Sequence, residues 1–309
     1  MEGDFLRWLR ERLPPHPLLK LGIGDDAALL ATAGRNDLVV TTDLVADGVD
    51  FDLQVHDPRR VGHKALAINL SDLAAMAAQP LAVVIALNLP RQGGQRLAVE
   101  LYEGMLPLAE QFHVAIAGGD TNSWDGPLVV SVTAIGEVTA SGPLRREGAQ
   151  PGDRILVTGS FGGSILGRHL DVQPRVAEAL LLNQRYRLHA GTDCSDGLAI
   201  DLWHVCEESR CGAVVDMECI PVAAAAKELS AQRNDGVSAV EHALADGEDF
   251  ELILAVPEKD AEQILADQPL DGVTLTDIGE FVADRSLFQR DAGGAKKPLE
   301  PKGFQHRFS

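Results

Sequence analysis

Five short acidic motifs contain the candidate functional residues of this chain. They are Gly24-Asp25-Asp26, Thr41-Thr42-Asp43, Ser71-Asp72, Gly118-Gly119-Asp120-Thr121 and Asp193-Cys194-Ser195-Asp196-Gly197. Aspartate beside glycine usually reflects turn chemistry, which is the better explanation for any single motif. Five motifs together favour convergence, because four of them sit at or next to the end of an apolar strand. Carboxylate and hydroxyl oxygens are the donors that Mg²⁺ prefers, so the set predicts a magnesium site for phosphate substrates.

Asp72 is the most informative of these residues because of its surroundings. It lies in Val61–Ala78, an apolar segment that predicts a buried helix with its N-cap at Asp57, followed by Pro58. A lone carboxylate in such a helix is costly unless it is paired or binds a metal. The segment has no arginine, and its one lysine, Lys64, lies two turns away. Two unit charges about 4 Å apart repel by roughly 4 kcal/mol at an effective dielectric of about 20, so converging carboxylates require cations.

The pattern of apolar residues predicts the elements that position these motifs. In the first half it predicts helices at Phe5–Leu13, Val61–Ala78 and Leu97–Phe112, and strands at Leu38–Val45, Leu81–Leu89, Val114–Ala117 and Leu128–Val138. In the second half it predicts strands at Arg154–Thr158, Ala213–Met217, Phe250–Val256 and Val273–Val282, and helices at Gly162–Leu170, Arg175–Tyr186, Gly197–Glu208, Val222–Ala231 and Glu258–Ala266. A polar connection at Ser141–Asp153 separates the halves. We therefore predict a two-domain α/β or α+β protein divided into residues 1–145 and 146–309.

Composition and charge exclude several classes of partner. The chain has 309 residues and a formal net charge of −19, from 27 basic and 46 acidic side chains. Such a charge argues against nucleic acid or an anionic membrane as a partner. No apolar run reaches transmembrane length, and the acidic N-terminus lacks a signal-peptide pattern. The four cysteines have no C-x-x-C spacing, so we expect reduced thiols in a cytoplasmic protein.

Two further features are weaker candidates for function. The segment Gly159–Ser164 lies between a predicted strand and a predicted helix, as a phosphate loop does. The chain has no Gly-Lys-Ser or Gly-Lys-Thr sequence, so this is not a Walker A motif, and a tight turn is the favoured interpretation. The nine histidines show no metal-type spacing, and we assign none of them a catalytic role.

The ordered set of motifs resembles the thiamine-monophosphate kinase family, within the superfamily of aminoimidazole ribonucleotide synthetase and selenophosphate synthetase. The matching segments span nearly the whole chain: LGIGDDAALL, TTDLVADGVDF, GHKALAINLSDLAAMAAQP, AGGDTN, GDRILVTG, DCSDGLAIDL, GEDFEL and PKGF. The resemblance implies direct, ATP-dependent phosphorylation of thiamine monophosphate to thiamine diphosphate, without a phosphoenzyme. It also implies a homodimer in which the N-terminal mixed sheets of two subunits form a barrel-like core, with a C-terminal α/β domain covering the site.

The resemblance also implies roles for individual residues. The positions that match ligands of several Mg²⁺ ions are Asp26, Thr41, Thr42, Asp43, Asp72, Asp120, Asp193 and Asp196. The positions that match the ATP side are Gly119, Asp120, Arg146 and Ser195. Those expected on the substrate side are Asp50, Glu248 and Phe304, and those expected in catalysis are Asp72, Asp120, Arg146 and Asp196. The nucleophile is then an oxygen of the substrate phosphate, so no protein base is required. Arg146 would supply fixed positive charge, and a carboxylate and an aromatic face suit a cationic thiazolium.

The sequence departs from the family pattern at three places. Asp50 stands where the family usually has histidine, and Phe112 stands where it often has tyrosine. The segment beginning at His169 reads His-Leu-Asp-Val in place of a basic His-Leu-Arg-Pro. These changes concern the substrate and nucleotide sides, whereas the aspartate motifs are intact.

Two alternatives stay open at this point. One is another ATP-dependent enzyme of the same superfamily. Selenophosphate synthetase typically needs a reactive cysteine or selenocysteine near its N-terminus, whereas the first cysteine here is Cys194. The SDLAAM and GEDFEL segments fit the thiamine kinase better than aminoimidazole ribonucleotide synthetase. The other alternative is a nucleotide- or Mg²⁺-binding protein that has lost activity.

Overall fold

The computed structural model describes residues 16–22, 24–32, 36–233 and 235–305. The elements of the first half are β1 (Leu19–Leu21), β2 (Ala28–Leu30), β3 (Leu38–Ala46), α1 (Pro58–Ala75), β4 (Ala78–Pro90), α2 (Gly94–Gln111), β5 (Ala115–Trp124) and β6 (Val129–Val138). Their strands form one mixed sheet in the order β1-β2-β3-β6-β4-β5. Strand β5 pairs with β4 in parallel, and the other neighbours are antiparallel. The predicted helix Phe5–Leu13 lies outside the described residues.

The second half builds a separate seven-stranded sheet with helices against it. Its strands are β7 (Arg154–Thr158), β8 (Ala190–Asp193), β9 (Gly212–Asp216), β10 (Leu252–Val256), β11 (Leu275–Val282), β12 (Leu287–Arg290) and β13 (Lys296–Pro298). Its helices are α3 (Val176–Arg185), α4 (Leu198–Ser209), α5 (Ala224–Arg233), α6 (Ala239–Ala245) and α7 (Glu258–Asp267), with 3-10 turns at Ser164–Leu166, Arg168–Leu170 and Met217–Cys219. The strand order is β13-β12-β9-β11-β7-β10-β8. The protein is therefore a two-domain α/β chain with mixed sheets, as the sequence predicts. None of these helices combines the length and the apolar composition that crossing a membrane requires.

Helix α1 is buried on almost every side, as its apolar sequence predicts. The Asp57 carboxylate caps it by accepting a hydrogen bond from the backbone N–H of Arg59 at 2.9 Å. The helix ends at Ala75 rather than at the predicted Ala78, because Ala77 has a φ of 47°, which a right-handed helix does not allow. Helix α1 packs against α2, β3 and β6 of its own half and against α3 and β8 of the second half. It therefore lies at the junction of the two halves.

The N-terminal sheet covers α1 with one face and leaves the other face open. Along β6 every second residue is buried, which is the two-residue period of a sheet with one face in the core. The outward side chains Leu44, Leu81 and Val84 of β3 and β4 are exposed although they are apolar. Strand β5, at the edge of the sheet, is exposed along most of its length. We call this apolar surface the open sheet face.

Most of the predicted elements within the described residues are present, but two differ in kind. The predicted helix Gly162–Leu170 is two separate 3-10 turns, because Gly167 between them has a φ of 130°. The predicted short strand Val114–Ala117 continues to Trp124 as β5, so the Gly-Gly-Asp-Thr motif lies within a strand instead of following one. Parallel pairing with β4 supplies the hydrogen bonds for this extension, and local sequence does not report such long-range pairing. The pattern also did not predict β1, β8, β12, β13 and α6, which are short.

The close approach of α1 and α2 depends on two glycines. A Cβ added at Gly62 would lie 2.0 Å from the carbonyl oxygen of Leu101, and one at Gly104 would lie 1.8 Å from the carbonyl oxygen of Arg59. Contacts that short with backbone atoms force the helices apart. The absence of side chains at these two positions thus fixes the distance between the helices, and with it the position of the Asp72 backbone.

We expect Gly62→Ala to lower the free energy of unfolding by about 2 kcal/mol or more, because overpacking outweighs the gain in helix propensity of about 1 kcal/mol. The measurement is urea denaturation followed by circular dichroism. Val99→Ala, at an exposed position of α2, is the control and should stay within about 0.5 kcal/mol of the parent. A more stable Gly62→Ala protein would contradict the packing argument.

Candidate metal centre and adjoining cavity

Three of the predicted carboxylates converge between the two halves of the chain. Asp26 lies in the turn before β2, Asp72 in α1 and Asp193 at the end of β8. One carboxylate oxygen from each lies within 4.8 Å of the other two. In the ranges that the structure describes, no other group of three or more His, Cys, Asp or Glu side chains has this geometry. We call these three residues the acidic cluster.

Hydroxyl groups orient two members of the acidic cluster. The hydroxyl of Thr41 donates a hydrogen bond to Oδ2 of Asp72 at 2.5 Å. The hydroxyl of Ser71 donates to Oδ2 of Asp193. A neutral donor favours the ionised carboxylate without cancelling its charge. Both hydrogen bonds therefore fix the side chains, and neither brings a positive charge to the cluster.

Asp26 forms an ion pair through one carboxylate oxygen, and its other oxygen has no hydrogen-bond partner among the described residues. The guanidinium of Arg146 donates to Oδ1 of Asp26 at 2.6 Å, and the hydroxyl of Thr192 donates to the same oxygen at 2.9 Å. Oδ2 of Asp26 is buried and has no hydrogen-bond partner among the described residues. A buried carboxylate oxygen without a partner is costly unless a cation binds it. This oxygen and the all-oxygen donor set fit Mg²⁺.

The electrostatics of the cluster also favour a bound cation. Burial raises the pKa of Asp72 well above its usual value, and the charges of Asp43 and Asp193 raise it further. Burial also raises the pKa of Asp193 well above its usual value, with Asp26 adding to the effect. In Asp25, burial and the adjacent Asp26 raise the pKa to about 7. A raised pKa means that the ionised carboxylates cost stability at neutral pH, so a divalent cation would offset that cost.

Asp43 stands beside the cluster on β3 and is tied to α1. The side-chain oxygen of Asn69 accepts a hydrogen bond from the Asp43 backbone N–H at 3.2 Å. The amide nitrogen of Asn69 donates to the carbonyl oxygen of Ala65 at 3.0 Å, and Asn69 is completely buried. Burial, with the charge of Asp50 added, raises the pKa of Asp43 to about 6. Asn69 therefore joins strand and helix one turn before Asp72, a positioning role that the sequence pattern did not predict.

Two of the predicted metal ligands, Thr42 and Asp120, lie on the opposite face of the sheet. Asp120 pairs with Ala86, which in turn is aligned through β6 with Leu44 on β3. Paired residues share a face, so the Asp120 side chain belongs to the open sheet face, about 14 Å from β3 over three strand spacings. The Thr42 hydroxyl lies on this face too, 3.0 Å from the hydroxyl of Thr133. Within one chain these two side chains therefore do not join the acidic cluster, and Gly119 is exposed on β5 beside Asp120.

A cavity of about 910 Å³ adjoins the cluster and gathers the predicted substrate side. Predicted residues that line it are Asp43, Asp50, Asp72, Ser195, Asp196, Glu248 and Phe304. The backbone N–H of Phe304 donates to the carbonyl oxygen of Asp196 at 2.9 Å, which fixes the C-terminal segment against the loop after β8. The Asp50 carboxylate accepts a hydrogen bond from the Ala46 N–H at 2.7 Å, so it also shapes its own loop. Residues from both halves thus enclose one space next to the carboxylates.

The glycine-rich segment Gly159–Ser164 is a structural turn, as favoured from the sequence. The backbone N–H of Gly162 donates to both oxygens of Asp249, at 3.0 and 2.9 Å, and that of Gly163 donates to Asp246 at 3.0 Å. Carboxylates of the chain itself thus occupy the N–H groups that a phosphate loop would offer. The four cysteines are free thiols, and three of them are buried.

Each half of the chain matches a known protein domain. Residues 24–138 match the family model "AIR synthase related protein, N-terminal domain", and residues 150–290 match "AIR synthase related protein, C-terminal domain". The fold and the carboxylates shared by two halves thus define an AIR synthase-related protein.

Relatives narrow this class to one family. Thiamine-monophosphate kinase of Rhodopirellula baltica is 41% identical over 99% of this chain and 97% of its own length. The enzyme of the same name from Salmonella typhimurium is 35% identical over 93% of this chain and 92% of its own length. A solved structure, AaThiL complexed with AMPPCP and TMP, aligns with a TM-score of 0.81 at 26% identity, over 99% of this chain and 96% of that one. The chain belongs to the thiamine-monophosphate kinase family.

We expect Asp72→Asn to raise the free energy of unfolding in EDTA at neutral pH by about 1 kcal/mol or more, because a neutral amide removes the cost that burial and the neighbouring carboxylates impose on an ionised Asp72. Asparagine still accepts the hydrogen bond from Thr41 while the repulsion disappears. In the parent, millimolar Mg²⁺ should raise the melting temperature, and in Asp72→Asn it should do so much less. Thermal denaturation with and without Mg²⁺ measures both effects.

Asp271→Asn, on the surface, is the matched control and should behave as the parent in both conditions. An Asp72→Asn protein that is destabilised in EDTA and keeps the full Mg²⁺ response would contradict the metal assignment.

Proposed function

We propose that this protein transfers the γ-phosphoryl group of ATP to thiamine monophosphate, giving thiamine diphosphate. The observation that carries the proposal is the continuity of the acidic cluster with the cavity, so that metal ligands and substrate-side residues share one space. Family membership supports the reaction, and a structure with the same fold binds AMPPCP and TMP. The proposed division into domains at residues 1–145 and 146–309 makes this space an interdomain site.

The metal centre in this proposal is built from the carboxylate side of the sheet. Asp26, Asp72 and Asp193 would hold Mg²⁺, with Asp43, Thr41 and Asp196 available around them. When bound, Mg²⁺ supplies positive charge between the carboxylates and the phosphate oxygens, which would otherwise repel each other. Oδ2 of Asp26 is the oxygen most available to the metal ion, because Arg146 and Thr192 already donate hydrogen bonds to Oδ1.

Apart from binding Mg²⁺, the side chains of the site only have to bind and orient the two substrates. The attacking oxygen belongs to the substrate phosphate and is ionised at neutral pH, so no side chain has to remove a proton. Glu248 and Phe304, which line the cavity, suit the cationic thiazolium through charge and an aromatic face. Ser195, in the loop after β8, lines the same cavity and suits the nucleotide side. Arg146 contributes fixed positive charge beside Asp26.

We also propose a homodimer that covers the open sheet face. The exposed side chains Leu44, Leu81 and Val84 give this face an apolar centre, and the edge strand β5 offers free backbone pairing positions. Asp120 and Thr42 lie on the same face, away from the acidic cluster of their own chain. Their predicted roles toward metal and ATP are therefore compatible with a site that a second subunit completes.

The assay for the proposed function is incubation of the protein with ATP, Mg²⁺ and thiamine monophosphate, followed by chromatography for thiamine diphosphate. We expect product with the parent and a kcat at least about 100-fold lower with Asp72→Asn, because a lost metal ligand weakens charge neutralisation in the transition state. Asp271→Asn should retain parental kinetics. Nucleotide binding without product would favour the alternative of a binding protein that has lost activity.

The dimer has its own test. We expect the parent to have twice the 33.0 kDa mass of one chain in light scattering after size exclusion. The double variant Leu44→Asp, Val84→Asp should shift to the mass of one chain, because four buried carboxylates per dimer would face each other without partners. Val99→Asp, at an exposed position of α2, is the matched control and should remain dimeric. A monomeric parent with full activity would overturn the dimer proposal and leave the reaction standing.

A further inference from the structure

Lys64 is a buried cation that the proposed reaction has not used. It lies in α1, two turns before Asp72, and only 1% of its side chain is exposed. Its ammonium group donates to the carbonyl oxygen of Asp50 at 2.9 Å and forms an ion pair with Oε1 of Glu248. Both partners belong to loops that line the cavity, one from each half of the chain. Lys64 is thus the point where the two substrate-side loops meet.

The buried Lys64 ammonium depends on Glu248 for its ion pair. A buried ammonium is costly without a carboxylate, so Lys64 depends on Glu248. Glu248 is different, because 33% of its side chain is exposed and it faces the cavity. Without Lys64 its carboxylate could rotate toward solvent. The ion pair therefore restricts the side-chain rotation of the exposed Glu248 more than that of the buried Lys64.

The backbone conformation of Glu248 is already fixed, so only its side chain can still rotate. Glu248 and Phe250 have φ values of 55° and 52°, in the left-handed region that few non-glycine residues adopt. The Glu248 N–H donates to the carbonyl oxygen of Ser195 at 2.7 Å, and the Phe250 N–H donates to that of Cys194 at 2.8 Å. These bonds fasten the loop to the segment that follows Asp193. Rotation about the side-chain bonds of Glu248 is what Lys64 limits.

We infer that Lys64 is a positioning residue for the substrate, acting through Glu248. It holds the carboxylate that receives a cationic heteroaromatic ring, and it ties this carboxylate to the Asp50 loop of the other half of the chain. The inference rests on the proposed function, and it concerns substrate binding rather than nucleotide binding or the chemical step.

The test is the kinetics of Lys64→Met in the full-length protein, a change that keeps an unbranched chain and removes the charge. We expect the KM for thiamine monophosphate to rise about tenfold, with the KM for ATP and kcat within about twofold of the parent, because a misplaced carboxylate weakens one substrate selectively. In a Glu248→Gln background, which also raises that KM, adding Lys64→Met should cause little further change. This non-additivity is the signature of action through Glu248.

Arg60→Met is the matched control, since Arg60 joins α1 to the second half through Asp171 and lies outside the cavity. It should leave both KM values unchanged. An equal rise of the KM values for both substrates in Lys64→Met would mean a purely structural role and overturn the inference. A rise of the KM for thiamine monophosphate that adds to that of Glu248→Gln would do the same. Should Lys64→Met fail to fold by circular dichroism, Lys64→Gln with the same readouts decides. No thiamine diphosphate from the parent overturns the proposed function itself, whereas an active parent with an unchanged KM in Lys64→Met overturns only the role of Lys64.

Discussion

Repulsion among desolvated carboxylates is the constraint on which this structure depends. Asp26, Asp72 and Asp193 lie within 4.8 Å of one another, and burial raises the pKa of both Asp72 and Asp193. Among the described residues, hydroxyl donors and the guanidinium of Arg146 contact these carboxylates, and one oxygen of Asp26 has no partner. Such an arrangement is stable only because the surrounding packing enforces it, and it is ready for a divalent cation.

Helix α1 provides much of that packing. Its contact with α2 through Gly62 and Gly104 fixes the distance between the helices, and Asn69 fixes β3 against it. The same helix carries Lys64 and Asp72, two turns apart, toward the substrate side and the metal side. A rigid, buried helix holds its side chains more accurately than a loop does. Core packing and site geometry are thus properties of one element.

The two halves contribute unequal parts of the site. The first half supplies Asp26, Asp43 and Asp72, while the second supplies Asp193 and the loops that carry Asp196 and Glu248. Because the acidic cluster spans both halves, their relative placement determines whether the carboxylates meet. The open sheet face is a separate matter, since its apolar side chains and the edge strand β5 point away from the cluster. It is the surface where the proposed second subunit would bring Thr42 and Asp120 into use.

Residue types and apolar periodicity were enough to predict the fold class and most of the long elements, and they indicated the chemistry of the site. Apolar periodicity marks α1, β3 and β6, because burial of one face or of a whole helix leaves a regular pattern in the chain. The isolated carboxylate of Asp72 and the repeated aspartate motifs indicate a metal centre, because the residue types alone fix the donor atoms. Three features came from the folded chain: which carboxylates meet, the position of the Gly-Gly-Asp-Thr motif inside an edge strand, and the contacts that Lys64, Asn69 and Thr192 make with the site. Strand order, register and the face on which a side chain lies come from long-range pairing and helix packing, and no local pattern encodes these.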